Sequence, residues 1–311
     1  MSTLVSSAGF AAAQRRQRIN MALFLGPALL LLLLFFITPV VVDIFVAFTD
    51  MGRTLRIEEI TTKNFERMVT RDRRIASTLA VTAIYVFTTL AIFNVTFGLI
   101  LALITTALPD KVGGFFRAVW LLPRMSPSVV YALLWFWVAD SSERGLLNQI
   151  GHGMLGFDTV NLRGDYPLIT IVLANGFIGA SMGMIIFTSA IRSIPEHLFH
   201  AARVDGAGPL AMTWHITLPA IRWPLSFVTV YQTLSLLVSF EYIWLITDGG
   251  PFYDSTVYAL YVYKRAFENG QYAYGAALAL VLVVIGVVAA LSMWRFFDMQ
   301  RLLQQPRIEV Q

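Results

Sequence analysis

The chain has 311 residues, of which 57% are apolar types and only 14% are charged, against about 25% charged residues in an ordinary globular domain. That is too little polar cover for two soluble domains, and the 23 Lys and Arg against 19 Asp and Glu are scattered rather than gathered into a nucleic-acid stripe. The absence of cysteine excludes disulfides, thiolate metal sites and cysteine nucleophiles.

Six stretches reach the roughly 20 mostly apolar residues needed to cross about 30 Å of hydrocarbon. They are residues 21–48, 76–108, 115–138, 167–191, 223–247 and 273–297. Backbone groups in lipid must be satisfied within the chain, and these runs lack the two-residue alternation of barrel strands, so an all-α membrane protein is expected. The transmembrane domain spans residues 21–300, between tails at 1–20 and 301–311. The first run is too long for a signal peptide, and Ile37-Thr38-Pro39 continues without a small-residue cleavage site.

Arg15, Arg16 and Arg18 ahead of the first run favour a cytoplasmic N-terminus, and an even number of spans then puts both ends inside. The flanks balance at eleven Lys and Arg on each side, with Arg124 inside the third run. The balance comes from a first outer loop that carries Arg53, Arg56, Lys63, Arg67, Arg71, Arg73 and Arg74.

The second run is long for one crossing and predicts tilt or an extra turn. It contains Asn94. The third contains Arg124 between Pro123 and Pro127, which interrupt the helical hydrogen-bond ladder and free carbonyls near a possible cavity. Arg124 fits two placements, in that cavity or reaching to the headgroups. The fourth run holds Asn175 and Gly179-x-x-x-Gly183, a spacing that permits close helix packing. The fifth holds Glu241. Polar groups inside spans are costly and point to function, although interhelical hydrogen bonding explains Asn94, Asn175 and Glu241 equally well. Tyr131, Trp135, Trp137, Tyr242 and Trp244 offer rings of the kind that cover the apolar faces of sugars.

The loop between the fourth and fifth runs, residues 192–222, is not a plain connector. Pro195 suits the first turn of a short helix continued by Glu196 to Val204, with an apolar side at Leu198, Ala201, Ala202 and Val204. Gly206 can end it in the left-handed conformation, and a second helical piece with Leu210, Trp214, Ile216 and Leu218 ends at Pro219. The pair reads as a rigid knob facing the cytoplasm or as a helix pair lying on headgroups.

His200-Ala201-Ala202, three residues, Gly206, nine residues and Ile216-Thr217-Leu218-Pro219 resembles the EAA loop of permease subunits of binding-protein-dependent ABC importers. Asp205 and the lead-in Ile194-Pro195-Glu196 are similar to the carbohydrate-uptake branch. So are Thr38-Pro39, Leu122-Pro123 with Ser126-Pro127, Gly145-Leu146-Leu147-Asn148, and Phe240 to Thr247 followed by Asp248-Gly249-Gly250-Pro251. The order holds from Met21 to Arg301 and is similar to the larger permease subunit of maltose-type sugar transporters. Two features depart: His200 replaces the family's loop glutamate, and the first outer loop lacks a large insert.

The resemblance implies a six-helix type I importer permease in a bacterial inner membrane, carrying a saccharide or related polyhydroxy solute. It implies a second, related permease, two copies of an ATP-binding subunit that hold ATP and Mg, and an extracytoplasmic solute-binding protein docking near Tyr253. Coupling to the ATPase would fall to Glu196, His200, Ala201, Ala202, Asp205, Gly206, Ile216, Leu218 and Pro219. The solute pathway would fall to Asn94, Arg124, Tyr131, Trp135, Asn175, Glu241, Tyr242 and Trp244. The chain has no G-x-x-x-x-G-K-[ST] phosphate cradle of its own, so no cofactor is expected on it.

Two other classes compete. An ion-driven secondary transporter would carry several intramembrane acids and an internal repeat, whereas Glu241 is the one acid well inside a run. A zinc protease needs H-E-x-x-H, and in Glu196-His197-Leu198-Phe199-His200 the glutamate precedes both histidines.

Overall fold

The computed structural model describes residues 7–297, so the tail at 301–311 lies outside the described residues. The stretch expected as an N-terminal tail is helical from Ser7 onward. Among the described residues there is no strand beyond one isolated bridge between Thr49 and Ile60. Among the described residues four helices are long and apolar enough to cross a membrane: α1 (Arg15–Ala47), α3 (Arg74–Ala107), α7 (Pro167–Arg192) and α13 (Tyr272–Phe296).

The third and fifth apolar runs are each a bent pair of helices rather than one straight helix. The third is α4 (Asp110–Met125) and α5 (Ser128–Val138), bent by 100°. Pro127 causes the break. Its ring bars the helical conformation at the preceding residue, and Ser126 is accordingly extended at φ −75°, ψ 144°. Pro123 is accommodated inside α4. The fifth run is α10 (Arg222–Leu237) and α11 (Glu241–Thr247), bent by 53° with no proline at the break. Between those pairs lies α6 (Leu146–Leu155). The loop 192–222 forms α8 (Glu196–Val204) and α9 (residues 209–220). After α11 comes α12 (Tyr258–Tyr263).

The described residues divide into two compact units, one of residues 7–70 with 265–280 and the other of residues 71–264 with 281–297. In the first, α1 ends at Ala47, which is buried with Ala276 and Ala277 of α13. A short helix, α2 (Lys63–Thr70), caps that end: Asn64 Nδ2 donates to the carbonyls of Ala47 at 3.0 Å and Thr49 at 2.7 Å. The Arg67 guanidinium lies 4.2 Å above the Tyr274 ring. Along α1, Leu29 to Phe36 stay exposed, as expected of side chains meant for lipid or another subunit.

The second unit is built on the seam between α3 and α7. Gly98 faces the Ala180 carbonyl, and a Cβ there would lie 3.0 Å from that oxygen. A Cβ on Gly176, Gly179 or Gly183 would lie within 2.4 Å of Phe93 or Asn94. Small residues let the two backbones approach as the Gly179-x-x-x-Gly183 spacing predicted. Around the seam, Tyr85, Ile171, Leu236, Ile243 and Leu260 form a buried cluster contributed by α3, α7, α10, α11 and α12.

Candidate functional site

The loop expected to couple to an ATPase folds as its residues dictate. Pro195 stands at the N-cap of α8, and Asp205 is its C-cap. Gly206 follows at φ +80°. The Gly206 N–H donates to the Arg203 carbonyl at 3.1 Å and the Ala207 N–H to the Ala202 carbonyl at 2.9 Å, the paired bonds of a Schellman terminus. Those bonds hold α8 at a defined angle to α9. Thr217 is buried and anchors α9, with Ile216 and Leu218 half-buried on either side and Pro219 exposed. Glu196 and His200 face each other one turn apart, at 3.4 Å and both exposed. Ala201 is exposed and Ala202 half-buried. Three apolar side chains point outward with nothing over them: Val204 is 89% exposed, Leu210 72% and Trp214 63%. Behind the pair, a cleft of about 840 Å³ runs between Phe199, Arg203 and Met212 on one side and Leu103, Asp110 and Arg192 on the other. Arg192 and Asp110 form an ion pair at 2.6 Å in that wall.

A second cavity, of about 300 Å³, lies among the apolar helices and is lined by Arg124, Asn175, Gln232, Ser235, Ser239 and Tyr242. The structure therefore brings together three of the expected pathway residues, Arg124, Asn175 and Tyr242. Asn175 Nδ2 donates to the Tyr85 hydroxyl and to Ser239 Oγ. Gln232 Nε2 donates to the Gly179 carbonyl at 3.1 Å. Gln232, Ser235 and Ser239 were not singled out from the sequence, although Gln232 is a polar amide inside an apolar run, the same signal that selected Asn175.

The other expected pathway residues lie elsewhere. Asn94 is buried in the α3–α7 seam, and neither its Nδ2 nor its Oδ1 has a hydrogen-bond partner among the described residues. Tyr131 is buried and spends its hydroxyl on the Ala174 carbonyl at 2.6 Å. Its ring packs edge-on against Tyr242 and Trp135, which joins α5 to α11. Trp135 packs against the buried cluster of Ala132, Ala174 and Ile246. Trp244 leans on Tyr263, with ring centroids 5.2 Å apart. Glu241, the first residue of α11, accepts a 2.6 Å hydrogen bond from Ser128 Oγ, so it ties the two broken spans together. In the loop after α11, Tyr253 lies under the Arg74 guanidinium at 4.4 Å, and Phe252 beside it is 90% exposed.

Apolar helices around a small polar cavity, with a rigid helical knob outside them, define a multi-span transport subunit. A sequence profile for the "binding-protein-dependent transport system inner membrane component" family matches residues 94–297. The chain is 31% identical to a probable ABC transporter permease protein of Pyrococcus horikoshii, over 86% of this chain and 92% of the relative. It is 29% identical to the permease protein of a diacetylchitobiose uptake system of Streptomyces coelicolor, over 86% and 79%. Its fold is similar to a crystal structure of a bacterial ABC transporter involved in the import of the acidic polysaccharide alginate, with a TM-score of 0.78 at 22% identity over 93% of this chain and 98% of that one. The chain belongs to the family of binding-protein-dependent transport system inner membrane components and is a permease subunit of an ABC importer.

Proposed function

We propose that this permease carries a saccharide or related polyhydroxy solute and forms the translocation pathway together with a second, related permease. Two copies of an ATP-binding subunit supply the energy and hold ATP and Mg, and this chain catalyses nothing itself. A solute-binding protein delivers cargo on the outer side. Both termini and the α8–α9 loop face the cytoplasm.

One observation carries the coupling role. α8 follows α7 after only Ser193, Ile194 and Pro195, and α9 runs into α10 at Arg222. α7 and α10 supply two walls of the inner cavity through Asn175 and Gln232. A rigid pair attached to both walls transmits a push at α8 directly to the cavity. Val204, Leu210 and Trp214 are the apolar anchors that a helix seated in a partner's groove requires. The saccharide class is supported by the hydrogen-bonding character of the cavity beside the Tyr242 ring. It is also supported by the likeness to the diacetylchitobiose uptake permease.

Affinity purification of the tagged chain from its own cells in mild detergent tests the assembly. A stoichiometric ATP-binding subunit with a second permease is the expected result. A chain that purifies alone or as a homo-oligomer across several detergents would favour an ion-driven transporter.

A further inference from the structure

Arg124 stands on α4 opposite Ile178 and Met182 of α7. Ile178 is eleven residues from the start of α7 at Pro167 and fourteen from its end at Arg192. At 1.5 Å per residue, the guanidinium therefore sits about 16 Å from one end of that helix and about 21 Å from the other. No arginine side chain reaches a headgroup from there, so snorkelling does not account for it.

A guanidinium keeps its charge at physiological pH and offers five N–H donors. Here its contacts are long: 3.5 Å from Nη1 to the Ile178 carbonyl and 3.7 Å from Nη2 to Met182 Sδ. Among the described residues it takes part in no salt bridge. The nearby Glu241 is not a lining residue of the cavity and accepts from Ser128. Arg124 is exposed in the isolated chain and lines the cavity, and a permanent cation at that depth among apolar helices is costly until a counter-charge meets it.

The rest of the cavity is neutral and rich in hydrogen-bonding groups. Asn175 and Gln232 use their amide nitrogens on protein partners, which leaves both amide oxygens as acceptors for hydroxyl groups. One charge beside several neutral acceptors matches a ligand with one anionic group on a polyhydroxylated body. The volume, about 300 Å³, is at the lower end for small-molecule sites and suits one sugar unit at a time.

We propose that Arg124 is an anion-recognition residue of the translocation cavity, and that the cargo is an acidic saccharide bearing a carboxylate, sulfonate or phosphate. The proposal rests on the saccharide-permease reading and adds the charge of the cargo to it.

Saturation-transfer NMR on the purified permease–ATPase complex tests it, with glucose, glucuronate and glucose 6-phosphate as probes. The two acids are expected to saturate at about tenfold lower concentration than glucose, the scale of one charge-assisted contact, with the ratio falling as salt rises. Arg124→Gln should bring the ratio close to one, and Arg124→Lys, which keeps the charge, should retain most of it. Equal binding of all three probes, with a ratio indifferent to Arg124→Gln, would overturn the inference while leaving the saccharide reading intact; it would mean that a carboxylate of the second permease neutralises Arg124. Binding of none of the three by a complex that still hydrolyses ATP would remove the saccharide reading and this inference with it.

Discussion

The position that a Cβ on Gly179 would take lies 2.1 Å from Asn94 Oδ1, so α7 and α3 meet here with no room for a methyl group. Asn94 is fully enclosed by that contact. Gly179→Val should therefore destabilise the second unit by about 1–3 kcal/mol, the usual penalty for overpacking. Gly286 on α13 has nothing within 4 Å of its Cβ position, and Gly286→Ala should leave stability unchanged or raise it slightly by helix propensity. Thermal denaturation of the two variants in the same detergent checks the contrast. Equal midpoints would mean that the seam yields.

Gly206 is the second glycine whose lack of a side chain matters, at φ +80° between α8 and α9. A β-branched residue in the left-handed region costs roughly 1–2 kcal/mol locally and re-aims the chain. Gly206→Val should reduce ATP-driven solute uptake in vesicles by about tenfold or more, while the apolar helices melt as in the parent. Gly206→Asn, which tolerates this conformation better, should fall between the two. Uptake by Gly206→Val at the parental rate would count heavily against α8 as the coupling element.

Between α5 and α7 one amide gathers three stretches of the chain. Asn148 is buried; its Nδ2 faces the carbonyls of Asp140, Ser142 and Val160 at 3.0–3.3 Å, and its Oδ1 accepts from the Val160 N–H at 2.9 Å. Asn148→Ala should leave those backbone groups without their partner at about 1–3 kcal/mol for each that stays buried. Limited proteolysis within residues 139–165 should appear in the variant and not in the parent. A cleavage pattern identical to the parent's would show that the loop has other support.

The first outer loop carries a pH-sensitive tie. Asp50 Oδ1 accepts from the Glu58 and Glu59 N–H groups at 3.0 and 3.1 Å, and these bonds hold its carboxyl below the ordinary aspartate value. Because the folded value is depressed, the stabilisation is present above the unfolded value of about 3.9 and is lost as pH falls through the folded one. Deuterium-exchange protection at Glu58 and Glu59 should be constant from neutral pH down to about 4 and be lost only below that, as pH falls through the depressed folded value. In Asp50→Asn, whose amide oxygen still accepts but carries no charge, protection should be moderately lower and nearly independent of pH, and in Asp50→Ala it should be low throughout. Loss of protection in the parent already at about pH 5, above the ordinary aspartate value, would rule this tie out.

Composition and apolar run length were enough for the all-α membrane class, because a backbone in lipid has only helices and closed barrels available. The α8–Gly206–α9 loop was equally legible, since Pro195 and Gly206 act through their own backbone restrictions and need no distant partner. The break at Ser126-Pro127 belongs to the same class of local signal.

Tertiary structure decided the rest. No residue at 238–240 announces the bend between α10 and α11, which is sustained by contacts from other elements, among them Asn175 to Ser239 and Ser128 to Glu241. Nor does sequence say which polar groups share a cavity. Asn94 and Asn175 look alike as lone amides in apolar runs, yet one is pressed against Gly179 and the other lines the space that Arg124 enters. Periodicity specifies the helix on which a side chain lies, whereas the neighbour it meets depends on how closely two helices can pack. Gly98, Gly176, Gly179 and Gly183 set that distance between α3 and α7.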